Sequence, residues 1–320
     1  MKQILILVTL IFLSFNASAE ETDIRFATDW KAQAEHGGFY QAIAKGYYKK
    51  RGLNVTIRPG GPQVDVPRLI AAGAIDIGMA SNSFQPINLL AVGADVKIVM
   101  AAFQKDPQVL MVHPRINASS MADLKGMPIF ISDSAVATFW PWLKARFDFK
   151  DSQIRKYTYS LAPWLVNKNT AQEGYLSSEP HTASTAGVIP KVFLFADEGY
   201  AGYGGMVMVR GDYLANNRDV VRAFVEASVE GWRDYVWGDP SAGNALILKD
   251  NPDMNDALIA YAIEAMRRNE ILGPKSHVGR MSARRWHNFY DEMVTLDVLT
   301  PGLDVSQVYT NEFLAAGSPK

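Results

Sequence analysis

Tyr175 and Glu179 stand four residues apart in "GYLSSEP" (174–180), with Pro180 directly behind the acid. A proline there ends a strand, so both side chains belong to a strand end. A carboxylate in a cleft is costly to desolvate unless it is paired, and the amino group of a ligand would be a natural partner. The same glutamate could equally be a solvated surface residue. "DWKAQAEHGGFY" (29–40) poses a similar choice. Trp30 offers a flat apolar face with one donor, suited to stacking on an aromatic ring. His36, Gly37 and Gly38 lead into a helix, where glycines let backbone N–H groups approach a ligand. Alternatively Trp30 and Phe39 are core residues and the glycines only make a tight turn.

Further polar groups fall at comparable places. Ser81 and Asn82, in "SNS" (81–83), serve either as helix caps or as ligand contacts. Gln104 follows the run "IVMAAF" and carries an amide able both to donate to and accept from a heterocycle. Ser132 follows "PIFI", and Tyr200 and Tyr203 sit in "DEGYAGYGG", where rings line a cleft or fill a loop. "RPGGPQ" (58–63) lacks the Lys-Ser/Thr ending of a phosphate loop and reads as a plain connection.

Enzyme signatures are missing. The sequence has no G-x-S-x-G elbow, no H-E-x-x-H pair and no nucleophile with an evident base. Its five histidines have no ligand-like spacing and it has no cysteine, so neither a metal site nor any other cofactor is expected.

The elements that must carry these residues alternate. "IRFATD", "NVTIRP", "AIDIGMAS" and "VKIVMAAF" read as strands separated by helices, the pattern of a parallel sheet covered on both faces. A second series follows: "MPIFISD", "IRKYTY", "EGYLSS" and "KVFLFAD" as strands, with a helix interrupted near Pro141. The chain then turns helical, and "NNRDVVRAFVEASVEGWRDYVWGDP" places Val221, Phe224, Val225, Ser228 and Trp232 on one stripe, with Asn216 or Asn217 as N-cap. Two apolar strands, "VLMVHP" (109–114) and "GGMVMVR" (204–210), bracket the second series. If the chain leaves by one and returns by the other, two α/β lobes share a two-strand hinge. Ligands of open α/β sheets sit beyond the carboxyl ends of the strands, so both sets of strand ends would face one cleft. The expected division is 20–112 for the first part of lobe one, 113–206 for lobe two and 207–320 for the mainly helical return to lobe one.

Residues 1–19 carry Lys2, an apolar run from Ile4 to Phe15, then Ala17 and Ala19: the order of a secretory signal peptide cleaved after Ala19. That run is too short to span a bilayer. Export into the periplasm is expected. A formal charge of −1 gives no case for nucleic acid or an anionic membrane.

Taken together, "DWKAQAEHGGFYQAIAKGYYKKRGLNVTI", "RLIAAGAIDIGMA", "MADLKGMPI" and "EGYLSSEP" resemble the NMT1/THI5-like substrate-binding proteins of ABC importers. The resemblance runs from about residue 24 to 240. It implies a type II periplasmic-binding-protein fold, a small-molecule ligand held between the lobes, a monomeric receptor and a permease partner in the inner membrane. Members bind thiamine pyrimidine precursors, riboflavin, sulfonates or nitrate. The pyrimidine-precursor binders are most similar in the Asp-Trp loop, the His and the Tyr…Glu pair, which implies roles for Trp30, His36, Tyr175 and Glu179. An aminopyrimidine is thus the leading expectation, with riboflavin or an anion such as an alkanesulfonate or nitrate as alternatives. A secreted enzyme of pyrimidine chemistry is the expectation from another class. The fungal relatives that make the pyrimidine have a Lys and a His where this chain has Ala80 and Phe84, and a cysteine cluster near "YGGMVM". That departure argues against synthase chemistry.

Overall fold

The structure, a computed structural model, describes residues 21–314; the expected signal peptide lies outside them. Ten strands form two five-stranded sheets. The first sheet contains β1 (Thr22–Ala27), β2 (Leu53–Arg58), β3 (Ile77–Asn82) and β4 (Val96–Phe103). The second contains β5 (Gln108–Val112), β6 (Ile129–Ile131), β7 (Ile154–Lys156), β8 (Ala171–Tyr175) and β9 (Lys191–Leu194). The last strand, β10 (Gly204–Arg210), returns to the first sheet, giving the orders β2-β1-β3-β10-β4 and β7-β6-β8-β5-β9.

Each sheet is built on parallel pairs with an antiparallel strand inserted. β1 runs parallel to β2 and β3, whereas β10 lies antiparallel between β3 and β4. β6 is parallel to β7 and β8, whereas β5 is antiparallel to β8 and β9. The inserted strands are the two apolar runs expected to form the crossings. Neither is a crossing. Each is the first strand laid down after one, so the second lobe's sheet begins at 108 rather than at 113, and the first resumes at 204. The crossings themselves are the short links between β4 and β5 and between β9 and β10.

Packing follows the apolar periodicity. The helix Arg218–Trp237 buries Val221, Phe224, Val225, Ser228 and Trp232, as its stripe predicts. Asn217 stands at its N-cap position but does not cap it; its amide donates to the Tyr213 carbonyl instead. The interruption near Pro141 is present, with a short helix Asp133–Val136 and a restart at Trp140–Phe147 carrying proline in the first turn. One apolar cluster passes through the hinge. Tyr200 touches Phe84 of the first lobe (ring centroids 6.1 Å) and Trp142 of the second (5.2 Å). The hinge is therefore packed with aromatic rings.

Candidate ligand site between the lobes

The strand ends converge on a cavity of about 400 Å³ between the two sheets. Of the residues expected at the site, Trp30, Ser81, Asn82, Ser132, Tyr175 and Glu179 line it. The indole of Trp30 and the acid of Glu179, from opposite lobes, thus share one hollow.

The first-lobe wall is built on β1 and β3. Thr28 donates to the Trp30 carbonyl at 2.8 Å, and the Gly60 N–H of "RPGGPQ" donates to the same oxygen at 3.1 Å, fixing the loop that presents the indole. Beside it, Asp29 accepts from His36 Nε2 at 3.0 Å. Burial raises the Asp29 carboxyl, but the His36 hydrogen bond and charge, the Ser81 hydroxyl and its own backbone N–H outweigh this and hold it below the usual range. Ser81 also gives its N–H to the Gln85 side chain, and the Asn82 side-chain Oδ1 accepts from Phe84 N–H, the first residue of the next helix, whose N-cap position is Ser83.

The second-lobe wall is built on β6 and β8. Glu173, a residue absent from the sequence expectations, accepts from Ser132 N–H (2.5 Å), Ser132 Oγ (2.9 Å) and the Gln108 amide (3.2 Å). Burial nonetheless dominates these neutral donors and pushes its carboxyl up to about 7. Asp106, in the first crossing, forms the floor; burial pushes it up to about 7 as well, against the Gln108 N–H and the Arg285 charge. Glu179 folds back over the strand end and accepts from Tyr175 N–H (2.6 Å) and Tyr157 Oη (3.1 Å). Gly174 permits this: a Cβ there would lie 2.7 Å from the Glu179 Cβ. Burial raises Glu179 too. At the mouth, Tyr159 brings its ring to 4.5 Å from Trp30 across the cleft. Its backbone φ of 62° lies in the left-handed region unusual for a bulky residue.

Four expected contacts lie elsewhere. His36 is 1% exposed and does not reach the cavity; it acts on Asp29. Gly38 is a packing residue: a Cβ there would lie 2.2 Å from the Trp232 ring, and at Gly37 one would lie 2.0 Å from Tyr235. The helix Gly37–Ala44 can approach Arg218–Trp237 only without those side chains. Gln104 spends its amide on the Ala101 and Arg280 carbonyls, tying the first crossing to the C-terminal segment. Tyr203 stacks under the Arg285 guanidinium (4.0 Å) and accepts from Ser282 N–H, both within the first lobe. Asp29, Asp106, Glu173, Tyr157 and Tyr159 were the missing members. Each sits at or within three residues of a strand end, the signal that singled out their neighbours.

The arrangement is rich in acceptors. Asp29, Asp106, Glu173, Glu179 and Asp253 line the cavity against a single cation, Lys31, which pairs with Asp253 at 3.1 Å. Among the described residues no arginine lines it. Such a site favours a guest with N–H or O–H donors or positive charge over an anion, which Asp29 would repel. Among the described residues no cluster of His, Asp or Glu could hold a metal ion, and no helix is long and apolar enough to cross a membrane.

Known proteins of similar sequence and structure extend this picture. The riboflavin-binding protein RibY of Chloroflexus aurantiacus is 24% identical over 315 residues, covering 95% of this chain and 89% of that protein. A formylaminopyrimidine-binding protein of Halalkalibacterium halodurans is 25% identical over 304 residues, covering 89% and 90%. The crystal structure of the periplasmic aliphatic sulphonate binding protein SsuA from Escherichia coli superposes with a TM-score of 0.68 at 16% identity, covering 93% of this chain and 95% of that one. That likeness establishes the periplasmic-binding-protein fold and leaves the ligand open. The family model described as NMT1/THI5 like matches residues 33–242 and so spans the whole second lobe and most of the first: this chain belongs to the NMT1/THI5-like family.

Proposed function

We propose that this protein is the periplasmic solute receptor of an ABC importer, taking a small, flat, nitrogen-bearing heterocycle of the thiamine-precursor type and delivering it to an inner-membrane permease. The observation that carries the reading is the pairing of a half-buried, cavity-lining indole with acidic side chains from both lobes, in a cavity that no arginine lines among the described residues. An aminopyrimidine ring lies against Trp30 while its ring and exocyclic N–H groups donate to acceptors on both walls. Ligand then favours closure because it contacts both lobes at once. The formylaminopyrimidine-binding relative supports this choice, and the fold alone would not. Sulfonate and nitrate are disfavoured by the same carboxylates, since the lining's one cation, Lys31, is already paired with Asp253.

Riboflavin is the second reading. The cavity of about 400 Å³ exceeds the needs of a single pyrimidine ring, and the RibY relative supports a larger donor-rich guest.

Native mass spectrometry of freshly purified protein, followed by calorimetry with a 4-amino-2-methylpyrimidine carrying a 5-hydroxymethyl group, riboflavin and an alkanesulfonate, tests the reading. The aminopyrimidine is expected to bind with Kd in the micromolar range or tighter, and to be returned chemically unchanged. Glu179→Ala should then weaken it by about 1.5–3 kcal/mol, the worth of a charge-assisted hydrogen bond. Tight alkanesulfonate binding indifferent to Glu179→Ala would overturn the proposal, and a modified product would favour an enzyme.

A further inference from the structure

Behind the cavity, and lining no part of it, the two lobes are joined by a buried acid. Glu35 stands in the 3-10 turn Ala34–His36 of the first lobe and is 4% exposed. Its carboxylate accepts from the hydroxyl of Ser177, a residue of the second lobe that is 1% exposed. Burial raises the Glu35 carboxyl, with the Ser177 hydroxyl and its own backbone N–H opposing. Water is therefore shut out of this contact in this arrangement of the lobes.

Ser177 belongs to the turn between β8 and the helix Glu179–Thr185. That turn and the helix after it make further contacts with the first lobe. Tyr175 and Leu176 pack against the first lobe's apolar cluster. The Leu176 carbonyl accepts from Tyr261 Oη at 3.3 Å, and the His181 ring lies 4.9 Å from the Tyr261 ring. Two residues after Ser177 comes Glu179, whose carboxylate closes back on Tyr175 N–H at 2.6 Å while lining the cavity. One rigid turn thus carries a cavity-lining acid on one side and the inter-lobe bond on the other.

We propose that Glu35 and Ser177 form a latch: a buried hydrogen bond, made only when the lobes are together, that sets the lifetime of the closed form without either residue touching the guest. Opening the lobes returns both groups to water, so the bond contributes to closure and nothing to the fold of either lobe. Both are positioning residues. The inference rests on the two-lobed fold and is independent of which ligand the cavity takes.

The absence of cysteine makes the test clean. Val92→Cys in the first lobe and Val166→Cys in the second, each 78% exposed, give a spin-labelled pair on opposite lobes for pulsed electron–electron distance measurement. The labelled parent should show a short-distance, closed component, without guest or on adding the 5-hydroxymethyl aminopyrimidine. Ser177→Ala should lower the closed-to-open ratio about tenfold, the equivalent of about 1.4 kcal/mol. Glu35→Ala should do the same, and Glu35→Gln, which keeps an acceptor for Ser177, should restore most of the closed component. The melting curve of the open, guest-free form should be unmoved, because the bond is absent there. A distance distribution for Ser177→Ala identical to the parent's overturns the latch, as does a parent with no short component under either condition. If the aminopyrimidine fails to close the parent while Ser177→Ala still shifts the guest-free ratio, the latch stands and the ligand reading falls.

Discussion

The two walls of the cleft carry the same chemical group in opposite electrostatic states. On the first-lobe wall Asp29 is held by a histidine and titrates below its ordinary value despite burial. On the second-lobe wall Glu173 receives three hydrogen bonds, all from uncharged donors, and titrates near 7. Burial disfavours the ionised form of both, so the partner decides the outcome. A charged partner offsets desolvation and fixes an anion; neutral donors do not. The first wall thus offers a permanent acceptor. The second holds an acid that can keep its proton near neutrality and donate to a ring nitrogen. An aminopyrimidine edge, which alternates donor and acceptor, matches such a pair better than it matches two carboxylates.

His36→Ala attacks the comparison most directly. Asp29 would lose its His36 hydrogen bond while still largely buried, and stranding a buried carboxylate costs about 3–5 kcal/mol. The lower end is expected here, because part of Asp29 faces the cavity. Urea unfolding should show a loss of roughly 3 kcal/mol, with affinity falling as Asp29 takes up a proton. A loss below 1 kcal/mol would mean that the two walls are alike after all.

The second test uses pH. A carboxyl raised to about 7 binds its proton more tightly folded than unfolded. Its stability contribution is complete below the ordinary carboxylate range and is lost as pH rises from about 4.5 to 7. For Glu173 this amounts to roughly 3 kcal/mol across the window, and Asp106 works in the same direction. Asp29 works in reverse: its contribution is present above the ordinary value and lost as pH falls through its lowered one. Urea midpoints from pH 4.5 to 7.5 should therefore decline, and Glu173→Gln should remove its own share of that slope. An unchanged slope in Glu173→Gln would place the titrating group elsewhere.

How much of this was legible beforehand depends on the distance over which each residue finds its partner. The two α/β series, the long helical stripe and the strand ends were readable because apolar periodicity is local. Trp30, Tyr175 and Glu179 were placed at the cavity because a strand end is a local signal too. Gln104 and Tyr203 occupy similar ends yet face away, since a strand end fixes where the backbone goes and not which neighbour a side chain meets. Gly38 looked like a ligand-facing glycine because its real constraint, the Trp232 ring, lies far along the chain. Glu173 was hidden by its surroundings: in "AQEGY" a lone acid reads as a solvent-facing strand residue, whereas β8 lies inside its sheet, between β6 and β5.

That reading of Gly38 predicts a third, smaller effect. Gly38→Ala forces the helix Gly37–Ala44 off Trp232, an overpacking cost of about 1–3 kcal/mol. Stability should drop while Kd moves less than threefold, because the wall is displaced and no ligand contact is lost. A large loss of affinity in a protein of near-normal stability would return Gly38 to the binding surface.

Gln104→Ala should have the smallest effect on the site and gives the finest resolution of the two walls. The amide bridges the Ala101 and Arg280 carbonyls at 3.1 and 2.9 Å, so truncation frees two acceptors at the first crossing. Partly buried neutral hydrogen bonds of this kind are worth about 1 kcal/mol each net. Because the crossing joins the walls without belonging to either, the loss should fall on unfolding free energy and leave the titration of both carboxyls where it was. Nuclear magnetic resonance titration of the Asp and Glu carboxyl carbons would read this directly. If Gln104→Ala moved Asp29 and Glu173 together, the crossing would set the field of the cleft. The contrast between the walls would then be a property of the hinge and not of their separate partners.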